Sequence, residues 1–170
     1  MKVIKRQKNS RNCIICGMEN EASVKAPFYE MEDKSIVTIF QFKDFHQSYP
    51  ERVHGGMISA MLDELIGRAL WIEEPQSYGV TMNLNVKYRK PVPYNENLYG
   101  VAKLTKNTRM FFGGVGKICN ENGEILADAE VTYIKQATDK ISQDMHEDTE
   151  MIYDIKDGVN EIDMSKLKIE

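Results

Sequence analysis

One segment limits the fold more than any other. Between the Gly55-Gly56 pair and Pro75 the chain reads MISAMLDELIGRALWIEE, residues 57–74. Its apolar residues are Met57, Ile58, Ala60, Met61, Leu62, Leu65, Ile66, Ala69, Leu70, Trp71 and Ile72. A helix apolar on nearly every face belongs inside a core rather than on a surface. At 1.5 Å per residue such a helix is about 27 Å long. After Pro75 the apolar period changes to two. Val80, Met82, Leu84, Val86 and Tyr88 alternate with Thr81, Asn83, Asn85 and Lys87, the pattern of a half-buried strand. Three strand-like runs follow, NLYGVAKLTKN, RMFFGGVGKIC and EILADAEVTYIK. Their short links predict antiparallel neighbours, and Asn122-Gly123 marks a hairpin. Ahead of the helix, VKAPFYEM and SIVTIFQF flank the turn-forming EDK and read as two more strands. The expected class is α+β, a curved antiparallel sheet wrapped around one long central helix. Gly113, Gly114 and Gly116 predict a bulge or bend where that sheet curls.

Composition excludes several classes. With 42% apolar and 28% charged residues in 170, the chain is neither collagenous nor broadly disordered. No apolar run reaches the roughly 20 residues that span a bilayer. The N-terminal MKVIKRQKNSRNC lacks the apolar stretch of a secretory signal. Three cysteines, Cys13, Cys16 and Cys119, are an odd number and argue for a reducing, cytoplasmic setting. Charge is uneven: residues 1–135 carry a net +2 and residues 136–170 a net −6. The body lacks the basic footprint of a nucleic-acid binder. Three parts are therefore expected: a basic, solvated tail over residues 1–12, a domain over 13–136, and an acidic arm over 137–170. The arm is expected to be partly helical and weakly docked or disordered.

The chemistry concentrates around the start of the helix. Gly55 and Gly56 expose backbone N–H groups where the helix dipole is positive. Such a terminus can hold developing negative charge on a carbonyl oxygen. Asp63 interrupts an apolar helix, so it must be paired, hydrogen-bonded or functional. Gly55 and Asp63 are eight residues apart, about 12 Å along the axis, and cannot meet on one atom within one chain. Two copies of the helix, antiparallel across a two-fold axis, would bring them together, so joint chemistry requires at least a dimer. The plainer alternative is a tight turn at the glycines and a satisfied buried acid at Asp63.

These residues carry a resemblance. HQSYPERVHGGMISAMLDELIGRAL resembles the central segment of hotdog-fold thioesterases of the phenylacetate-pathway (PaaI-like) and 4-hydroxybenzoyl-CoA thioesterase superfamily. GVTMNLNVKYRKPVP is similar to the strand that follows there, CIICGMENEASVKAPFYE to the entry of one hotdog subgroup, and ENGEILADAEVTYIK to the closing strand. The resemblance spans about residues 13–135. It implies an acyl-CoA thioester hydrolase acting as a homodimer, or as a homotetramer built from two dimers. It needs no metal and no cofactor beyond the coenzyme A of its substrate. By position, the Gly55 N–H would polarise the thioester carbonyl. The partner subunit's Asp63 would act as general base on water, or as nucleophile through a mixed anhydride. His54 would shape the site and Thr81 would orient the nucleophile. Relatives carry an Asn or Gln six residues before the histidine. Strict spacing puts Ser48 there, and Gln47, one residue away, is the preferred candidate.

Other signals are weaker. Gly56, Arg89, Lys90 and Arg109 are candidates to bind coenzyme A, the arginines because a guanidinium suits phosphate. The Cys13-x-x-Cys16-Gly17 pair lacks the four ligands of a structural zinc site and reads as a thiol pair. His46, among Phe42, Phe45 and Tyr49, reads as a packing residue, and His146 as solvated. Two other functions fit the same resemblance: a hotdog module that binds acyl-CoA without turnover, and an acyl-thioester dehydratase or hydratase.

Overall fold

The computed structural model describes residues 1–142 and 150–167; His146 and Met145 lie outside them. Seven strands form one antiparallel sheet in the order β1-β2-β3-β7-β8-β9-β6. They are β1 (Val3–Arg6), β2 (Tyr29–Met31), β3 (Ile36–Phe40), β6 (Tyr78–Tyr88), β7 (Leu98–Asn107), β8 (Phe111–Asn120) and β9 (Ile125–Gln136). A small hairpin, β4 (Gln47–Tyr49) and β5 (Arg52–Val53), precedes the helix α1 (Gly55–Gly67). One helical turn, α2 (Thr138–Ile141), follows β9. Among the described residues no helix is long and apolar enough to cross a membrane.

The central helix is shorter than the sequence predicts. It begins at Gly55 and gives way at Arg68 to a 3₁₀ segment, Arg68–Ile72, a common way for a helix to tighten its last turn. Met61, Leu62, Leu65 and Ile66 have no exposed surface. The sheet curls around them at its glycines: a Cβ on Gly114 or Gly116 would stand 2.8 Å from Ile66. The ladder shifts by a residue opposite these glycines, between Leu104 and Lys106, where the bulge or bend was expected.

Three expectations change. First, β7, β8 and β9 are consecutive neighbours, but β6 pairs with β9 and forms a sheet edge. The link from β6 to β7 crosses the end of the sheet. It is held there by Arg89 and Lys90 N–H groups donating to Leu126 O, and by Asn95 N–H donating to Phe42 O. Second, the N-terminal segment is no solvated tail, because Val3–Arg6 pairs with β2. Beyond it Asn9 is buried and donates to the carbonyls of Cys16 and Ala26. Lys5 and Arg6 lie on this edge strand, and their charge hides its pairing from a composition reading. Third, the described part of the arm is docked. Met151, Ile162, Met164 and Leu167 are buried, the last three in a cluster with Tyr29, Met31, Val37, Val101 and Cys119. Those strand residues alternate with the ones facing α1, so the arm covers the sheet's opposite face. Isolated bridges join Lys2 to Glu161 and Asn9 to Tyr153.

Candidate active site

His54 caps α1. Its backbone is extended, and its Nδ1 accepts the Gly56 N–H at 2.9 Å. This is the usual satisfaction of an orphan helix donor, made here by an imidazole. Gly56 therefore spends its N–H within the chain and does not offer it to a ligand. The Gly55 N–H has no acceptor among the described residues. The Gly55 carbonyl accepts from the Tyr88 hydroxyl at 3.0 Å, and that hydroxyl also meets Ser59 Oγ at 2.6 Å. Tyr88 thus ties the end of β6 to the start of the helix.

Asp63 lies two turns further along α1, half-buried. Thr81 on β6 places its hydroxyl 2.9 Å from Oδ1 and 3.1 Å from Oδ2. A hydroxyl has one proton, so this is one shared hydrogen bond centred on the carboxylate. Burial pushes the Asp63 carboxyl above the ordinary aspartate value, while the hydrogen bonds from Thr81 and Tyr133 partly offset that push. The Tyr133 hydroxyl donates to the Asp63 carbonyl at 2.7 Å, and its ring stacks on Phe112 at 4.4 Å. Asp63, Glu64, Arg68, Trp71, Thr81 and Tyr133 border one cavity of about 150 Å³.

The structure brings some expected residues together and separates others. Thr81 and Asp63 meet. Gly55 and Asp63 stand on one continuous helix, about 12 Å apart by rise alone. Gln47 and Ser48 are exposed on β4, and their side chains make no hydrogen bond among the described residues. Arg89 is paired with Asp128 and Lys90 with Glu124, so neither charge is free for a phosphate without exchanging its partner. Arg109 is exposed on the β7–β8 turn, in a groove that shares Ser77 and Tyr78 with the Asp63 cavity. His46 is buried, with Nδ1 accepting from Lys43 N–H and Nε2 facing Ala22 O at 2.8 Å; it is a packing residue.

Sequence reasoning passed over Tyr133, Tyr88 and the Glu64–Arg68 pair. Tyr133 had a register signal, since it sits opposite Thr81 on the paired strand. Nothing local marks Arg68 as buried. It is 3% exposed, bound to Glu64 at 2.8 Å and stacked against Phe28 and Trp71.

A curved antiparallel sheet closed around one helix is the hotdog architecture, shared with the solved structures that the chain resembles. Residues 51–127 match the family model of the thioesterase superfamily. The chain is similar to the rat (Rattus norvegicus) acyl-coenzyme A thioesterase THEM4, 38% identical over 68 residues. Those residues are 40% of this chain and 28% of the rat protein, so the chain matches under a third of that relative. Among solved structures it resembles a thioesterase superfamily protein, RHA08564, with TM-score 0.66 and 25% identity, over 72% of this chain and 63% of that one. It also resembles the BH2602 protein of Bacillus halodurans, solved with CoA, with TM-score 0.60 and 22% identity, over 68% and 77% of the two chains.

Proposed function

We propose that the protein hydrolyses acyl-CoA thioesters at composite sites formed between two copies of the chain. The observation that carries this reading is the Thr81–Asp63 pair. A half-buried carboxylate, held centrally by one hydroxyl, keeps lone pairs open toward a cavity. The free Gly55 N–H supplies the complementary half, but on the same helix it is too far away to serve the same substrate. The exposed edge of β6 offers the means of joining them. Val80, Met82 and Tyr88 are 44%, 59% and 55% exposed along it, and an apolar open edge is a surface that a second strand can cover. Two β6 edges side by side set two α1 helices antiparallel, the start of one near the middle of the other. The dimer is the minimum this site requires, and a homotetramer would pair two such dimers. The three free thiols support a reducing, cytoplasmic location.

In this reading the thioester carbonyl oxygen accepts from Gly55 N–H. The partner subunit's Asp63 takes a proton from water as the water oxygen attacks the carbonyl carbon. The tetrahedral oxyanion is held by the same N–H. Its collapse breaks the carbon–sulfur bond, and the departing thiolate recovers the proton from Asp63. A direct attack by Asp63 would instead expel the thiolate and form a mixed anhydride; water attacking its aspartyl carbonyl would leave solvent oxygen in the Asp63 carboxylate rather than in the product acid, as a single turnover in ¹⁸O-water reads.

The test is thiol release from short, medium, long and aromatic acyl-CoAs. Wild type should turn over at least one class, and Asp63→Asn should lose about 10²- to 10⁴-fold, the usual share of a general base. Full activity in a folded Asp63→Asn sample sinks the reading. Stabilisation by acyl-CoA without thiol release makes the protein a binding module, and an enoyl product makes it a dehydratase.

A further inference from the structure

The turn carrying Cys13 and Cys16 packs against α1 at Glu64, the residue after Asp63. Gly17 N–H closes the turn on Cys13 O at 2.8 Å. Only glycine fits there, because a Cβ would stand 2.4 Å from that carbonyl. Cys13 is half-buried and Cys16 buried. Their sulfurs and a Glu64 carboxylate oxygen lie within 4.8 Å of one another. Arg68 Nη2 donates to Cys16 Sγ at 2.9 Å, Arg68 Nε donates to Glu64 at 2.8 Å, and Ile15 N–H donates to Cys13 Sγ at 3.3 Å. Cys16 thus sits between a buried guanidinium and a carboxylate that both border the Asp63 cavity.

We propose that Cys13 and Cys16 form a reversible dithiol–disulfide site whose oxidation is transmitted to the Asp63 cavity through Arg68. A cysteine pair three residues apart across a tight turn is within the reach of a disulfide. The hydrogen bond from the Cys16 thiol holds the Cys13 thiol below its ordinary value, while that same bond and burial push Cys16 up. The more exposed sulfur is therefore the attacking thiolate, and the buried one resolves. The oxidant is a small-molecule disulfide. Cys13 thiolate attacks one of its sulfurs and expels a thiolate. Cys16 then loses its proton to solvent, attacks the Cys13 sulfur and expels the second thiolate. The dithiol gives up two electrons, and the small disulfide becomes two thiols. A disulfide sulfur is a poor acceptor, so Arg68 loses one of its partners and shifts toward Glu64.

The same three ligand atoms could be read as a metal site. Arg68 argues against it, because its fixed positive charge already bonds two of the three. The proposal does not depend on whether the chain hydrolyses thioesters.

The full chain is incubated with excess glutathione disulfide, then with dithiothreitol. Three titratable thiols should fall to one, with a mass two hydrogens lower and Cys13–Cys16 linked in the peptide map. The lone tryptophan, Trp71, reports the coupling, since Arg68 lies 4.7 Å over its ring. Its emission should shift on oxidation and return on reduction, and should stay unchanged in Cys16→Ser and in Cys13→Ser. Glutathione adducts that do not close, tightly held stoichiometric zinc in the purified protein, or a disulfide that leaves Trp71 emission unmoved would each overturn the proposal.

Discussion

At Asp63 two influences oppose each other. Burial favours the neutral acid, and the Thr81 hydroxyl favours the carboxylate. A general base works only when deprotonated, so the rate should rise with pH through a value above the ordinary aspartate range. Thr81→Val removes the interaction that lowers this value and leaves burial unopposed. The acid limb of the kcat/KM profile should move to higher pH, and the plateau should fall because the carboxylate is no longer centred. An acid limb that stays in place, or moves down, refutes the role given to Thr81. Much of this site is legible in the sequence: Asp63, Gly55 and Thr81 stand out by residue type and position. The rest is not. Tyr133 and Arg68 earn their roles from partners far along the chain, Asp63 and Cys16, and no local pattern reports such pairings. His54 is legible as a residue near chemistry, but only the structure reveals it as the cap that occupies Gly56.

Among the elements, the contact between α1 and β8 depends on the absence of side chains. Gly116 faces Ile66 and Ala102 at less than 3.4 Å from where a Cβ would stand. Gly116→Ala should destabilise the fold by about 1–3 kcal/mol, the usual range for overpacking. Trimming the neighbour in Gly116→Ala/Ile66→Val should recover part of that loss, so the double variant melts higher than additivity requires. Equal and additive losses would show that the helix and sheet do not press on each other here. The helix is legible from its nearly continuous apolar surface and β6 from its period of two, although Val80, Met82 and Tyr88 on that strand stay exposed. The first strand and the C-terminal arm are not, because their burial comes from contacts with each other and with the far face of the sheet. Arg6, Tyr29 and Asp157 fasten that arm: Arg6 and the Tyr29 hydroxyl both reach Asp157 Oδ2 at 2.7 Å. Burial pushes the Asp157 carboxyl up, but Tyr29, the Val159 N–H and Arg6 more than offset it and hold it low. Its stabilisation is present above the ordinary aspartate value and is lost as pH falls through the depressed one. Tyr29 is pushed up to about 12 by burial and by Asp157, so its share is full below the ordinary tyrosine value and fades as pH rises through about 12. The methyl resonances of Met151 and Met164 should therefore hold steady between these limits and move outside both. In Asp157→Asn the acid-side movement should be absent.

The whole molecule has an incomplete look at one edge: β6 presents apolar side chains and an unpaired ladder, while each half of the proposed chemistry sits at a different height on α1. An assembly through that edge makes a demand that no single-chain site makes. Two defective chains, each missing a different half, should rescue one another. Asp63→Asn keeps the N–H and loses the base. Gly55→Pro keeps the base and loses the N–H. Proline is well tolerated at the first helical position, and His54 already has the extended backbone that a following proline requires. Each variant alone should be nearly inactive in thiol release. Unfolded together in equal amounts and refolded, half the dimers are mixed, and each mixed dimer has one intact site out of two. The mixture should regain about a quarter of wild-type activity. Adding Met82→Lys to both chains places a charge on the β6 edge, which should leave monomers by sedimentation and erase the rescue. Wild-type-like activity in monomers that carry Met82→Lys alone, or no rescue in a mixture that sediments as dimers, would mean that Gly55 and Asp63 do not share a substrate across the β6 edge.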